Sequence, residues 1–199
     1  MRYSDTHKEE TRQKVVKAAA AAVRAKGPDG VSVAEIMAEV GLTHGGFYAH
    51  FPSKEALVAA AIDEAFSQNS RRFARMTEGL APAESLATYV DAYVTLRHRA
   101  MRDGGCPVAS LSSELPRQGA PVREAYERGV KAMVGRIAGW LPEDTPERES
   151  LAASLVAEMA GAVSLSRAMS NDEEAARLLA ASRKSIKARM GLPTEGPTE

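Results

Sequence analysis

The sequence predicts an all-α chain of about nine helices, a three-helix helix-turn-helix domain followed by a larger helical body. Three observations point there. No stretch alternates apolar and polar residues at strand period. Apolar residues recur instead at three- and four-residue spacing, in runs closed by Gly, Pro or Asn. Within 31–58, VSVAEIMAEVGLTHGGFYAHFPSKEALV, a helix, a glycine turn and a short second helix lead to a lysine opening a third.

Thr6 and Glu9 form a capping-box pattern ahead of a first helix carrying Val15, Val16, Ala19, Ala22 and Val23, which ends at Gly27-Pro28. Ser32 and Glu35 repeat the capping box for a second helix, whose stripe is Val33, Ile36, Met37 and Val40. Gly41 follows, where a helix can stop in a left-handed conformation. Thr43 is placed to cap the next helix. Phe47 and Phe51 face inward from it, leaving Thr43, His44, Gly45, Gly46 and Tyr48 on the other faces. Pro52 closes this segment, and Ser53 caps a helix with Lys54 and Glu55 in its first turn. Such a short helix, flanked by groups able to meet phosphate, suits a duplex major groove. Each Gly costs about 1 kcal/mol relative to Ala inside a helix, so Gly45-Gly46 must be offset by packing or binding, or else mark a loop.

The helix opening at Ser53 can run to Glu78, roughly 39 Å. After Gly79–Pro82 a helix bearing Leu86, Tyr89, Val90, Tyr93, Val94 and Met101 is expected to stop at Gly104-Gly105. A short segment spans Pro107 to Leu115, and further helices run from Pro121 to Trp140, Thr145 to Ser170 and Asn171 to Met190, the last capped by Asn171 with Glu174. The predicted domains are 1–52, a DNA-binding head; 53–191, a helical body, which the family resemblance given below makes an effector-binding and dimerisation domain; and 192–199, a Gly/Pro-rich disordered tail.

The window GLTHGGFYAHFPSKEALV resembles the TetR family of transcriptional repressors, through Gly41, Thr43, Gly45, Tyr48, His50, Phe51, Ser53, Lys54, Leu57 and Val58. The resemblance is dense over the first sixty or so residues. It implies that Thr43, His44, Gly45 and Gly46 approach base edges, that Tyr48, His50 and Lys54 contact phosphates, and that Ser32 or Val33 sits near the backbone. It also implies a small-molecule effector in the body and a homodimer on a palindromic operator of double-stranded DNA. Gly46 stands where a small hydroxyl residue is frequent, and Ala49 where a bulkier aromatic or His is frequent. Those departures leave fewer groups to bond a base and keep a second reading open, an adaptor that has lost DNA binding.

Charge is neutral in this argument. The chain has 26 Lys+Arg against 26 Asp+Glu, with residues 1–54 holding eight basic against six acidic groups. Local phosphate contacts need local cations, not a basic chain. One cysteine excludes an internal disulfide and fits a cytoplasmic protein, while no apolar run reaches the ~20 residues that span a bilayer, so no membrane partner is expected.

The segment LAASLVAEMAGAVSLSRAMS is apolar or small around most of its circumference, which fits either a helix buried in one subunit or one shared across a two-fold axis. Ala175, Leu178, Leu179, Ser182, Ile186 and Met190 offer a matching side of the next helix. Phe66, Phe73, Tyr89, Tyr93, Met101, Cys106, Tyr126, Met133 and Trp140 are the candidates for a lipophilic effector pocket, and they serve an ordinary core equally well. Cys106, between two glycines and Pro107, stands at a predicted helix start where a thiol pKa can fall; the alternatives are an electrophile- or oxidant-sensing thiol and a small buried residue. His7, His44, His50 and His98 lack metal-ligand spacing, and no phosphate-binding glycine loop occurs, so neither metal nor cofactor is expected. An all-α enzyme using Cys106 as nucleophile with His98 as base is the remote rival, and no catalytic residue is assigned.

Overall fold

Gly27, Gly41 and Gly79 all take φ between 75° and 76°, and each ends a helix, so glycine sets the rhythm of the chain. The computed structural model describes residues 2–193. Among them are nine α-helices and two short 3-10 helices, with no strand. The α-helices are α1 (Arg2–Lys26), α2 (Val33–Glu39), α3 (Lys54–Met76), α4 (Pro82–Tyr93), α5 (Leu96–Ala100), α6 (Pro107–Leu111), α7 (Ala120–Ala138), α8 (Arg148–Ala168) and α9 (Asp172–Arg189). The 3-10 helices are His44–Ala49 and Leu115–Arg117.

The chain packs as two compact units, one of Met1–Gln68 with Cys106–Gly129, the other of Asn69–Gly105 with Val130–Glu199. These divisions follow packing and fall inside α3 and α7, whereas the 52/53 boundary read from the sequence is one of function.

In the first unit, Val15, Ala19 and Val23 of α1 are buried with Ile36, Met37, Phe47, Phe51, Leu57, Val58 and Ile62. The first helix starts earlier than predicted. Thr6 and Glu9 lie inside α1, because no Gly or Pro interrupts residues 2–8 and helix propagates through them at little cost. Ser32 does cap α2, its Oγ accepting from Glu35 N at 3.3 Å. The reciprocal half is missing, since the Glu35 carboxylate pairs with Lys26 Nζ at 2.9 Å instead. Gly41 turns the chain so that Leu42 N donates to Met37 O at 2.8 Å. Arg24, almost fully buried, donates to Gln68 Oε1 at 2.8 Å and fastens α1 to α3.

In the second unit the long helix expected from Leu86 to Met101 is broken into α4 and α5. Thr95 adopts an extended conformation (φ −140°, ψ 158°) and its side chain accepts from His98 N at 3.1 Å, so a β-branched pair, Val94-Thr95, ends one helix and caps another. α8 starts at Arg148 rather than Thr145, after Glu147 in a left-handed conformation at φ 47°. α9 begins as predicted, Asn171 Oδ1 accepting from Glu173 N and Glu174 N. α8 packs on α9, and Leu155, Val156, Met159, Ala162 and Val163 of α8 and Ala175, Leu179 and Ile186 of α9 are all buried. Among the described residues α8 alone has a length and mean hydropathy, 1.2, that a membrane span can also have, and its apolar residues serve the core, with Leu155, Met159 and Val163 fully buried. Leu192, assigned to the tail, is buried and donates its N–H to Lys187 O at 2.9 Å; residues 194–199 of the tail lie outside the described residues.

Candidate nucleic-acid interface

The peptide from Thr43 to Phe51 is two buried rings with a polar, mostly exposed surface over them. Phe47 and Phe51 are buried and stacked, centroids 5.7 Å apart, which anchors the element to the first unit. Tyr48 packs edge-on against Phe47 yet remains 69% exposed, so its ring is held in place and its hydroxyl is presented outward. The element is a 3-10 helix rather than an α-helix, closed by Gly46 N to Thr43 O at 3.0 Å and His50 N to Phe47 O at 2.9 Å. Thr43 takes the cap position, but its side chain makes no capping bond, which corrects the predicted role. Two successive glycines remove the propensity that a full α-turn would need.

Of the residues expected to meet DNA, Thr43, His44, Gly45, Tyr48 and Lys54 are exposed, whereas Gly46 and His50 are half-buried. His50 closes the 3-10 helix, and its Nδ1 is buried with no hydrogen-bond partner among the described residues. Ser32 is committed to capping α2, and Val33, its first residue, is half-buried. Lys54 opens α3 just after Ser53, whose Oγ accepts from Ala56 N at 3.1 Å. Its ammonium group donates to Asp29 O at 3.2 Å, on the loop between α1 and α2.

Two neighbours escaped the sequence reading. Arg12, on α1, places its guanidinium 5.0 Å from the Phe51 ring centroid, giving a cation beside the short helix. Gln118, which the sequence assigns to the body, donates to Asp29 Oδ1 at 2.9 Å, so segment 106–129 reaches the loop that also holds Lys54. Neither pairing leaves a trace in the sequence, because both partners lie tens of residues apart.

The candidate effector residues divide between the units. Phe66, Cys106 and Tyr126 belong to the first, where Phe66 and Tyr126 meet edge-on at 5.7 Å and Tyr126 Oη and Ser112 Oγ are 2.7 Å apart. Burial pushes the Tyr126 phenol up, against the Ser112 hydrogen bond. Cys106 is fully buried at the N-cap position of α6. Phe73, Tyr89, Tyr93, Met101, Met133 and Trp140 belong to the second unit. There Tyr89 lies 4.1 Å from Phe73, 5.8 Å from Tyr93 and 5.4 Å from Trp140 between centroids, a continuous aromatic cluster. Tyr93 also meets the His98 ring at 4.5 Å, while Arg72 donates to Met101 Sδ at 3.1 Å. His98 Nδ1 lies 2.7 Å from Tyr93 O, which makes Nδ1 the protonated nitrogen. Burial, aided by the Arg167 and Arg72 charges and opposed by that hydrogen bond, lowers the imidazole to about 4.

Known proteins match both halves of this arrangement. The domain description for bacterial regulatory proteins of the tetR family matches residues 15–61, and that for the tetracyclin repressor-like C-terminal domain matches residues 82–182. An HTH-type transcriptional repressor of Mycobacterium tuberculosis is 29% identical over 111 residues, 56% of either chain. The HTH-type transcriptional regulator LmrA of Bacillus subtilis is 28% identical over 125 residues, 61% of this chain and 66% of its own. The chain therefore spans little more than half to two thirds of the curated relatives it matches. A TetR transcriptional regulator from Chloroflexus aurantiacus superposes with a TM-score of 0.77 at 28% identity, covering 94% of this chain and 96% of that one. The reduced form of Escherichia coli NemR shares the fold alone, at a TM-score of 0.76 and 18% identity over 90% of this chain and 96% of its own. With a helix-turn-helix head and a helical body both matched, this chain belongs to the tetR family of bacterial regulatory proteins.

Proposed function

We propose that the protein is a DNA-binding transcriptional repressor, acting as a homodimer and released from a palindromic operator when a small lipophilic effector binds. The observation that carries this reading is the outward face of the short helix. Thr43, His44, Gly45 and Tyr48 are presented over the buried Phe47–Phe51 stack, with Lys54 beside them. Thr43 and His44 supply hydrogen-bonding groups for base edges, the two glycines allow close approach, and Tyr48, His50 and Lys54 supply phosphate contacts. Ser32 and Val33 stand at the start of α2, where a backbone amide can meet the sugar-phosphate chain. Arg12 joins the phosphate-contacting set.

One such element covers few base pairs, so a two-fold repeat supplies the affinity and dictates a near-palindrome. The exposed side of α8 supports that arrangement. Ala153, Ala157, Ala168 and Leu165 are exposed there, with Leu165 at 61%, outside the buried stripe of Ala152, Val156, Met159 and Val163. Small residues let helices of two copies approach closely.

The effector reading rests on the second unit, where Phe73, Tyr89, Tyr93, Met101, Met133 and Trp140 combine aromatic walls with polar tips. An effector must bind the released state better than the DNA-bound one, or nothing moves. The thiol-sensing alternative is disfavoured by one observation, the complete burial of Cys106.

Selection of bound sequences from a random duplex pool tests the reading. Enrichment of an inverted repeat whose half-sites lie about one helical turn apart is the expected result. A pool that returns no enriched sequence from native protein overturns it and favours an adaptor.

A further inference from the structure

Several glycines among the described residues are required by the fold itself. Gly27, Gly41, Gly79 and Gly191 have positive φ, and a Cβ on Gly129 would sit 2.1 Å from the Phe66 ring. Gly45 and Gly46 are different. Neither has positive φ. A Cβ on Gly45 would meet nothing within 4 Å, and one on Gly46 would touch Met37 Cε and Thr43 Oγ1 at 3.8 Å, an ordinary contact. Alanine fits both places, and in a helical element alanine is the better residue by about 1 kcal/mol. The fold is therefore weaker for having two adjacent glycines here, and no close packing inside the protein requires them.

Two other helical glycines share this property. Gly161 lies in α8, the helix proposed to meet a second copy, so an external approach accounts for it as well. Gly135, exposed on α7, has no such account. Only Gly45-Gly46 form an adjacent pair, and they lie between exposed Thr43-His44 on one side and exposed Tyr48 on the other. Gly45 is thus a bare ledge of main chain in the middle of the face proposed for DNA, whereas Gly46 is half-buried and a side chain there would face the buried Met37.

A bare ledge can make only close, apolar or main-chain contact with a groove floor. In the major groove the one apolar projection on a base edge is the thymine C5-methyl group. We infer that Gly45 is a specificity-determining residue that seats main chain directly on a thymine methyl in each operator half-site. This rests on the DNA-binding reading above and adds what that reading does not give, a base identity and the reason for the outer glycine.

The experiment uses the full chain and the duplex it selects. Gly45→Ala and Gly46→Ala should fold with thermal midpoints at or up to about 4 °C above the parent, because alanine favours the helix. Gly45→Ala should bind the duplex roughly tenfold or more weakly, because an added methyl overfills a close contact, whereas Gly46→Ala, whose methyl faces Met37, should bind like the parent. Replacing thymines by uracil one position at a time should reveal one position per half-site that costs the parent about fourfold, the worth of one buried methyl, and costs Gly45→Ala nothing. Gly45→Ala binding like the parent, midpoints that fall, or no uracil-sensitive position each overturn the inference while leaving DNA binding intact. Failure of the parent protein to select any duplex overturns both readings together.

Discussion

Lys187 Nζ lies 2.9 and 2.7 Å from the two carboxylate oxygens of Asp91, and the lysine is only 2% exposed. The pair ties the last turn of α9 to α4 inside the second unit, where a lone ammonium group would be costly. Lys187→Met should destabilise the protein by about 3 kcal/mol, since it strands a carboxylate that keeps little access to water. Lys187→Met with Asp91→Leu should recover most of that loss. Urea unfolding of the two variants decides it, and equal stability of single and double variants would show that the pair does not matter.

His98 gives the second unit a pH dependence of known sign. Its imidazole titrates at about 4 in the folded chain against an ordinary 6.5, so the unfolded chain binds its proton first as pH falls. The associated stability is complete above 6.5, is lost as pH falls from there towards 4, and changes no further below. The amount is on the order of 3 kcal/mol. Unfolding free energies measured from pH 7.5 to 4 should fall in the parent, and His98→Asn should flatten that slope. An unchanged slope in the variant would place the titration elsewhere.

The head offers a split between affinity and sequence preference. Lys54→Ala and Tyr48→Phe should weaken selected and unrelated duplexes alike, and Lys54→Ala should lower the slope of log affinity against log salt by about 2 for a dimer. Thr43→Ala should instead relax preference at one base pair of each half-site, by about 1–3 kcal/mol. Binding titrations across salt concentrations distinguish the two. An unchanged salt slope for Lys54→Ala would remove the lysine from the interface.

Leu165 tests the proposed partner face. It is exposed and lies outside the buried stripe of α8, so Leu165→Glu leaves the core of one copy untouched. The variant should sediment as a monomer with helix content unchanged, and should lose operator affinity because one head alone covers too few contacts. A dimer that survives this substitution would move the interface away from α8.

The all-α architecture was legible in the sequence because helix signals are local. Gly27, Gly41, Gly79, Ser32, Ser53 and Asn171 end or begin helices through chemistry confined to one turn, and each does so in the fold. The family resemblance rested on another local run, 41–58, and the matched domains at 15–61 and 82–182 agree with it. Where local signals competed, tertiary packing chose. Thr6 lost its cap to a continuing helix, and Thr95 split a helix that the apolar spacing alone would have kept whole. The pairings that hold the candidate site, Arg12 over Phe51 and Gln118 on Asp29, join residues far apart in sequence. The same holds for Lys187 on Asp91 and Arg24 on Gln68. Such contacts depend on where whole helices lie, and helix spacing along a chain carries no information about which cation will find which partner. Amino-acid pattern alone therefore determined the all-α class, the helix ends marked by Gly, Ser and Asn, and the place of the short element; the three-dimensional packing decided where the other helices start and break, which polar groups are buried, which glycines the fold needs, and which it does not.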